Sequence, residues 1–307
     1  MKIHFSNVDF SSSTGPNTFG GRLSNELVGL GHEIVDVKEQ YDTFLAFIQP
    51  ETISRPGART VQRLDGVWFK PHEFHYKNHY IKWAYDNFDY IVWQSEFDKN
   101  MTEHHWGPRA GEVLHNGIRL DRAIPTDENL IRLRTKYDHL FVCSSNWHRQ
   151  KRLKENISLF LNVKKNSLFN NSGLIVLGNN PDHVVDHPDV YYAGSVPHSL
   201  CLEIFSAADW MIHLAWLDHC PNVVVEAISQ SCPVICSSSG GTKEIVKDNG
   251  LIIPEDKEYK YELLDYDSPY ELDVTHVTDL PKIDVKCDYL DIQLVAKEYE
   301  RICSSPQ

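Results

Sequence analysis

Two carboxylates, a run of cations and two loops of small residues hold the chemistry this chain could perform. Asp218 and Glu226 stand eight residues apart in Asp218-His-Cys-Pro-Asn222-Val-Val-Val-Glu226. An acid inside the apolar run Val-Val-Val-Glu-Ala-Ile is desolvated unless partnered, and a ribose diol or a structural Arg or Lys would each satisfy it. Arg149, Lys151 and Arg152 follow Ser144-Ser-Asn146-Trp-His. Cations between a strand and a helix suit a diphosphate, because their charge adds to that of the helix amino terminus. Ser11-Ser-Ser-Thr-Gly15-Pro-Asn-Thr18 and Ser237-Ser-Ser-Gly-Gly241-Thr-Lys-Glu244 are small enough to let backbone approach an anion or ligand closely. The first of them lacks both G-x-G-x-x-G and a P-loop lysine. Asp65, in Arg63-Leu-Asp-Gly66, is either a positioned acid or one half of an Asp-Gly turn. His72, His75 and His79 have the spacing of one helix face; zinc would need a further ligand there, a solvated face would not, and no metal site is expected.

These loops need a scaffold that gathers them on one edge, and the apolar pattern supplies it. Short apolar strands alternate with amphipathic helices along the chain, which implies parallel sheets with helices on their faces. Strands are expected at Lys2–Ser6, 34–37, 44–48, 60–64, Tyr90–Trp93 and 112–115, with helices over Phe19 to Leu30 and Glu96 to His105. The second half repeats this, with strands at 140–143, 174–177, 190–192, Trp210–His213, 233–236 and 251–253 and helices at 153–165 and 199–208. Val223 to Ile228 is ambiguous: three β-branched valines favour a strand, and Pro221-Asn222 before them a helix start. Residues 255–284 are acidic, rich in tyrosine and weakly periodic, as in a surface excursion. The expected organisation is an α/β chain with a first domain at 1–122, a second at 123–287 and a terminal helix within 288–307 that packs back toward the first domain.

Composition narrows the class. The 307 residues carry 30 Lys plus Arg against 43 Asp plus Glu, a net charge of −13, which disfavours nucleic acid as a partner. No apolar run approaches the ~18 residues of a spanning helix. Seven cysteines, an odd number without a C-x-x-C pair, suit reduced thiols rather than a disulfide framework. A cytoplasmic protein is expected, with peripheral membrane attachment as a variant.

Taken in order, the motifs resemble the GT-B glycosyltransferases, specifically the retaining family 4. The resemblance covers most of the chain and is strongest from Tyr191 to Pro254. It rests on Gly194-Ser-Val-Pro-His, Phe205-Ser-Ala-Ala-Asp209, Asp218 to Ala227, Cys232-Pro-Val-Ile and Gly240-Gly-Thr-Lys-Glu244, with Gln94-Ser-Glu-Phe and Val113-Leu-His-Asn-Gly117-Ile in the first half. It implies two Rossmann-like domains facing a central cleft, a nucleotide-diphosphate sugar as co-substrate, no cofactor and no metal. It also implies front-face transfer with retention, under domain closure, to a glycan, lipid or small-molecule hydroxyl.

By position, Glu226 matches the acid that holds the donor ribose, and Asp218 the acid that contacts the transferred sugar, shorter here by one methylene. Lys151 matches the lysine that neutralises the donor phosphates, and Gly15 the first-loop glycine beside the diphosphate. Asn146 stands where the family usually has arginine, with Arg149 or Arg152 as substitutes. Amides of Asn222 and Val223 would help at a helix start, and Gly241 completes the donor set. Asp65, His72 and His75 are the acceptor-side candidates, Asp65 as the group that orients or deprotonates the acceptor. A donor-binding protein without catalysis and a sugar-nucleotide epimerase are the alternatives.

Overall fold

The computed structural model describes residues 1–12 and 14–305; Ser13, inside the first small-residue loop, and Pro306 and Gln307, at the end of the expected terminal helix, lie outside the described residues. Two compact units are formed. One comprises Met1–Arg119, Lys260–Leu264 and Tyr289–Gln307, the other Leu120–Tyr259 and Asp265–Asp288.

In chain order the first unit contains β1 (Lys2–Ser6), α1 (Gly15–Gly29), β2 (Glu33–Ile34), β3 (Thr43–Phe47), β4 (Arg59–Leu64), α2 (Phe74–Lys77), α3 (His79–Asn87), β5 (Tyr90–Trp93), α4 (Glu96–Trp106) and β6 (Gly111–Val113). Its sheet runs β2-β1-β3-β4-β5-β6, every pair parallel. All five residues of β3 are buried, as expected of a strand covered on both faces. Helix α4 starts where the Ser95 hydroxyl accepts the Asp98 N–H at 3.1 Å, and it stops at Gly107, whose φ of +84° an L side chain rarely adopts.

The second unit contains α5 (Glu128–Lys136), β7 (His139–Ser144), α6 (Leu153–Val163), β8 (Ser172–Leu177), β9 (Val190–Gly194), α7 (His198–Ala207), β10 (Trp210–His213), α8 (Asn222–Ser229), β11 (Val234–Ser237), α9 (Thr242–Val246) and β12 (Gly250–Ile253). The sheet order is β12-β11-β10-β7-β8-β9, again parallel throughout. A parallel sheet puts all its strands' carboxyl ends on one edge, where ligand loops gather. Helix α10 (Ile292–Ser304) belongs to the first unit and packs on α1. Its buried residues Ile292, Val295, Ala296, Tyr299, Ile302 and Cys303 recur at helical spacing and join the core of Ile3, Phe19, Leu23, Leu45 and Phe47.

Some expectations change. The 34–37 strand shortens to β2, and 223–228 resolves as helix α8. The segment 255–284 is not a surface excursion. Leu272, Val274, Val277 and Leu280 are buried in the second unit's core, and Asn162 Nδ2 donates to the Thr275 and Val277 carbonyls at 2.7 Å each. Burial of these few apolar residues hides a segment whose polar residues dominate its composition. Helix α5 had no expectation; the Asp127 side chain caps it by accepting the Asn129 and Leu130 N–H groups, both at 2.9 Å.

Candidate functional site

Strands β7 and β10 pair directly, so the loops leaving their carboxyl ends are neighbours. The loop after β7 is pinned on one side by Trp147. Its indole N–H donates to the Leu177 carbonyl at 2.8 Å and its backbone N–H to that of Asn179 at 3.0 Å. Gly178 makes this approach possible: at φ +103°, a Cβ there would lie 1.7 Å from the Ser145 carbonyl oxygen. On the other side, Trp216 N–H donates to Gln150 O at 2.8 Å and Gln150 Nε2 donates to Trp216 O at 2.9 Å. A single 3-10 turn at Arg149–Lys151 then delivers Lys151 to the loop after β10, where its ammonium donates to Asp218 Oδ2 at 2.5 Å.

Asp218 is held from several directions. His213 Nε2 lies 3.2 Å from Oδ2, and the His219 N–H donates to Oδ1 at 3.1 Å. Behind it, the Gly241 N–H donates to the Asp218 carbonyl at 2.8 Å. Gly240 lies at φ +68°, where a Cβ would fall 2.4 Å from that same oxygen. Leu217, just before Asp218, sits in the left-handed region at φ +52° without being glycine, a local strain that the packing imposes. Burial alone would raise the Asp218 carboxyl, but Lys151 and His213 outweigh it and hold it well below the usual carboxylate range. Burial holds the His213 ring below the ordinary histidine value, against the opposing pull of Asp218.

Glu226 lies one turn into α8, 5% exposed, with Oε1 3.1 Å from Nε2 of His198 at the start of α7. The Pro221 cap of α8 carries no side-chain hydrogen bond, and the Val224 and Val225 N–H groups turn back to the Pro221 carbonyl. Asn222 and Val223, both half-buried, form the first turn. Thus Lys151, Asp218, Asn222, Val223 and Glu226 occupy the two neighbouring loops and the helix that follows.

The remaining donor-side candidates divide. Asn146 is exposed, and its Oδ1 accepts from Asn180 Nδ2 at 3.4 Å; Arg149 is exposed as well. Arg152 does not join the cation cluster. It adopts φ +53°, turns inward, is 1% exposed and forms a two-pronged pair with Glu255 at 2.5 and 3.0 Å, plus a 2.7 Å bond to the Tyr270 carbonyl. Gly241 has given its N–H to Asp218 and so supports the site from behind.

In the first unit, Gly15 opens α1, whose Thr14 cap carries no side-chain hydrogen bond. Asp65 follows β4 and pairs with Arg63, which is 1% exposed. Arg63 also donates to Gln94 Oε1 at 2.9 Å and Asn116 Oδ1 at 2.6 Å, with the Phe19 and Phe47 rings at 4.6 and 5.1 Å. The two first-half motifs therefore converge on one buried guanidinium. The histidines do not share a helix face. Asn78 separates α2 from α3, so His72 precedes α2, His75 lies in it and His79 opens α3; all three are exposed. Among the described residues, no group of three or more His, Cys, Asp or Glu is arranged to hold a metal ion.

His213 and Gly178 went unnoticed in the sequence, and His198, Gly240 and Arg63 stood inside motifs without a role of their own. His213, a polar residue closing the apolar strand Trp-Met-Ile-His, was the one available signal. A cavity of about 860 Å3 in the second unit lies elsewhere. Its lining includes His139 and Trp210, the first residues of β7 and β10, so it sits at the opposite edge of the sheet. All seven cysteines are free, and burial pushes the Cys201, Cys236 and Cys303 thiols up to about 12.

Residues 137–264 match the family Glycosyl transferases group 1. Solved structures of similar fold include HepE from Anabaena in complex with UDP, at TM-score 0.66 and 13% identity over 100% of both chains. A glycosyltransferase from Rickettsia africae ESF-5 gives 0.63 and 14%, over 98% of this chain and 97% of the other. Sucrose-phosphate synthase from Thermosynechococcus elongatus gives 0.62 and 14%, over 84% and 86%. No curated protein matches the chain in sequence. The fold is GT-B, and residues 137–264, most of the second unit, are similar to the family Glycosyl transferases group 1. No helix among the described residues is long and apolar enough to cross a membrane.

Proposed function

We propose that the protein moves a sugar, with retention of configuration, from a nucleotide-diphosphate donor to a hydroxyl acceptor. The observation that carries this reading is the pairing of Lys151 with Asp218, on the loop that leads into α8, with Glu226 on that helix. Lys151 and the first-turn amides of Asn222 and Val223 face charge that grows on the diphosphate as it departs. Glu226 accepts the ribose hydroxyls in place of His198. Asp65, its charge already compensated by Arg63, serves better as a hydrogen-bond acceptor that orients the incoming hydroxyl than as a base. In this reading the donor is a co-substrate and no resident cofactor takes part, so added chelator is expected to leave the rate unchanged. HepE was solved with UDP, which makes uridine nucleotides the first donors to try.

A panel of UDP, GDP and ADP and their sugars, read by thermal shift, identifies the donor by the rise in melting temperature that selective binding produces. Transfer is then followed with that donor. Glu226→Ala is expected to abolish most transfer while the protein stays folded; wild-type turnover in this variant would sink the assignment. Donor binding without transfer is the second reading, favoured by one observation: both Asp218 oxygens already accept hydrogen bonds within the protein. Tight donor binding with no sugar released or moved would select it.

A further inference from the structure

We propose that His213 and Asp218 are positioning residues for Lys151: together they hold its ammonium at one point of the loop, and Asp218 is committed to that task rather than to a sugar hydroxyl. The inference rests on the reading of Lys151 as the donor-phosphate cation and extends it.

The hydrogen-bond count of Asp218 leads to this. An ionised carboxylate only accepts, so the His213 ring must present Nε2–H to it, which fixes the tautomer. Oδ2 then takes one hydrogen from Lys151 and one from His213, and Oδ1 takes the His219 N–H. The carboxylate is 14% exposed on its side chain, and the ring 4%, so water competes weakly for either. Its backbone is equally fixed, between the strained Leu217 and the Gly240–Gly241 pair. The lysine is different. Its flexible four-carbon stem carries three N–H donors and loses rotamer entropy when immobilised. One bond to Asp218 lowers that cost before any anion arrives and leaves the ammonium its other hydrogens. His213 acts through the carboxylate, which its hydrogen bond stops from turning on the Cβ–Cγ bond. An aspartate reaches one methylene less far than the glutamate that the sequence resemblance leads one to expect here, and its oxygens point into the protein.

The test reads Lys151 itself, with no ligand present. Trace acetylation by acetic anhydride, quantified by mass spectrometry, compares Lys151 with the exposed Lys154 on the folded protein. Lys151 is expected to react at least tenfold more slowly than Lys154. Asp218→Asn is expected to remove most of that protection. His213→Leu should raise Lys151 labelling about threefold or more, and His213→Gln, which can still donate, should stay near wild type. Unchanged Lys151 labelling in both His213→Leu and Asp218→Asn overturns the proposal; so does equal loss of protection in the Gln and Leu variants. A second arm uses affinity for UDP, GDP or ADP, whichever binds. His213→Leu should weaken it about tenfold in wild type and not further in a Lys151→Ala background, whereas additive losses overturn the coupling. Absence of binding to any nucleotide would instead defeat the underlying donor-site reading, and the labelling result would still decide the positioning.

Discussion

Each unit carries a cation paired with a carboxylate at the carboxyl edge of its sheet, and the two pairs are built for different ends. Arg63 emerges from β4 into the interior, stacked near two phenylalanine rings and bonded to three separate side chains. Lys151 stands on a loop, 19% exposed, and reaches a single carboxylate oxygen. A planar guanidinium with fixed donors suits a permanent internal knot, whereas an ammonium on a tethered stem can still meet a ligand. Arg152, one residue beyond Lys151, follows the Arg63 pattern. Two adjacent cations in sequence thus do two different jobs, and charge alone does not tell them apart.

The largest effect should come from breaking the buried knot. Arg63→Ala strands Asp65, Gln94 and Asn116, and removal of one partner from a buried pair costs about 3–5 kcal/mol. Urea unfolding is expected to show that loss; a change under about 1 kcal/mol would mean water replaces the guanidinium and the knot is dispensable. Next comes the exposed counterpart. Lys151→Ala should reduce transfer about 10²–10³-fold, as loss of one oriented transition-state donor does, with little change in stability. A large fall in melting temperature would make Lys151 a structural residue like Arg63 and dissolve the contrast. Gly240→Ala should cost about 1–3 kcal/mol in stability, because the methyl meets the Asp218 carbonyl in a left-handed backbone. It should also weaken nucleotide binding, which a change confined to folding would not.

The smallest effect is one of pH. His213 stays neutral in the fold at pH values where the free ring, with a pKa of about 6.5, takes a proton, so the unfolded chain binds the extra proton. Stability therefore falls as pH drops below about 6.5. His213→Gln should flatten part of that slope in unfolding titrations at about pH 7.5 and 5.5. The depressed Asp218 contributes its stability above its unfolded value of about 3.9 and loses it on further acidification. Identical slopes in variant and wild type would remove His213 from this balance.

Much of the scaffold was legible because parallel strands buried on both faces read as plain apolar runs, as Phe44 to Ile48 and Leu174 to Leu177 do. The loops after β7 and β10 were legible for a related reason: small residues and cations interrupt those runs at the same edge of the sheet. What escaped depends on partners far away in sequence. Arg63 in a strand looks like a solvated side chain until Gln94 and Asn116 are brought beside it. Arg152 looks like a ligand for phosphate until Glu255, 103 residues on, meets it. Gly178 is required by the carbonyl of Ser145 on the adjoining strand's loop, and nothing local announces that. The segment 255–284 misled because its apolar residues are spaced for burial against another element rather than for a helix or strand of their own.

The placement of α10 bears on how the molecule comes to be folded. The Thr43 hydroxyl donates to the Cys303 carbonyl across 260 residues of chain, and Phe19 packs near Tyr299. The first unit's core thus lacks one wall until the entire second unit has been synthesised. Its early strands and α1 must wait on the ribosome with apolar surface uncovered, while the second unit can close on its own. Such long-range closure slows folding and leaves the amino-terminal half the more exposed to aggregation and to chaperones.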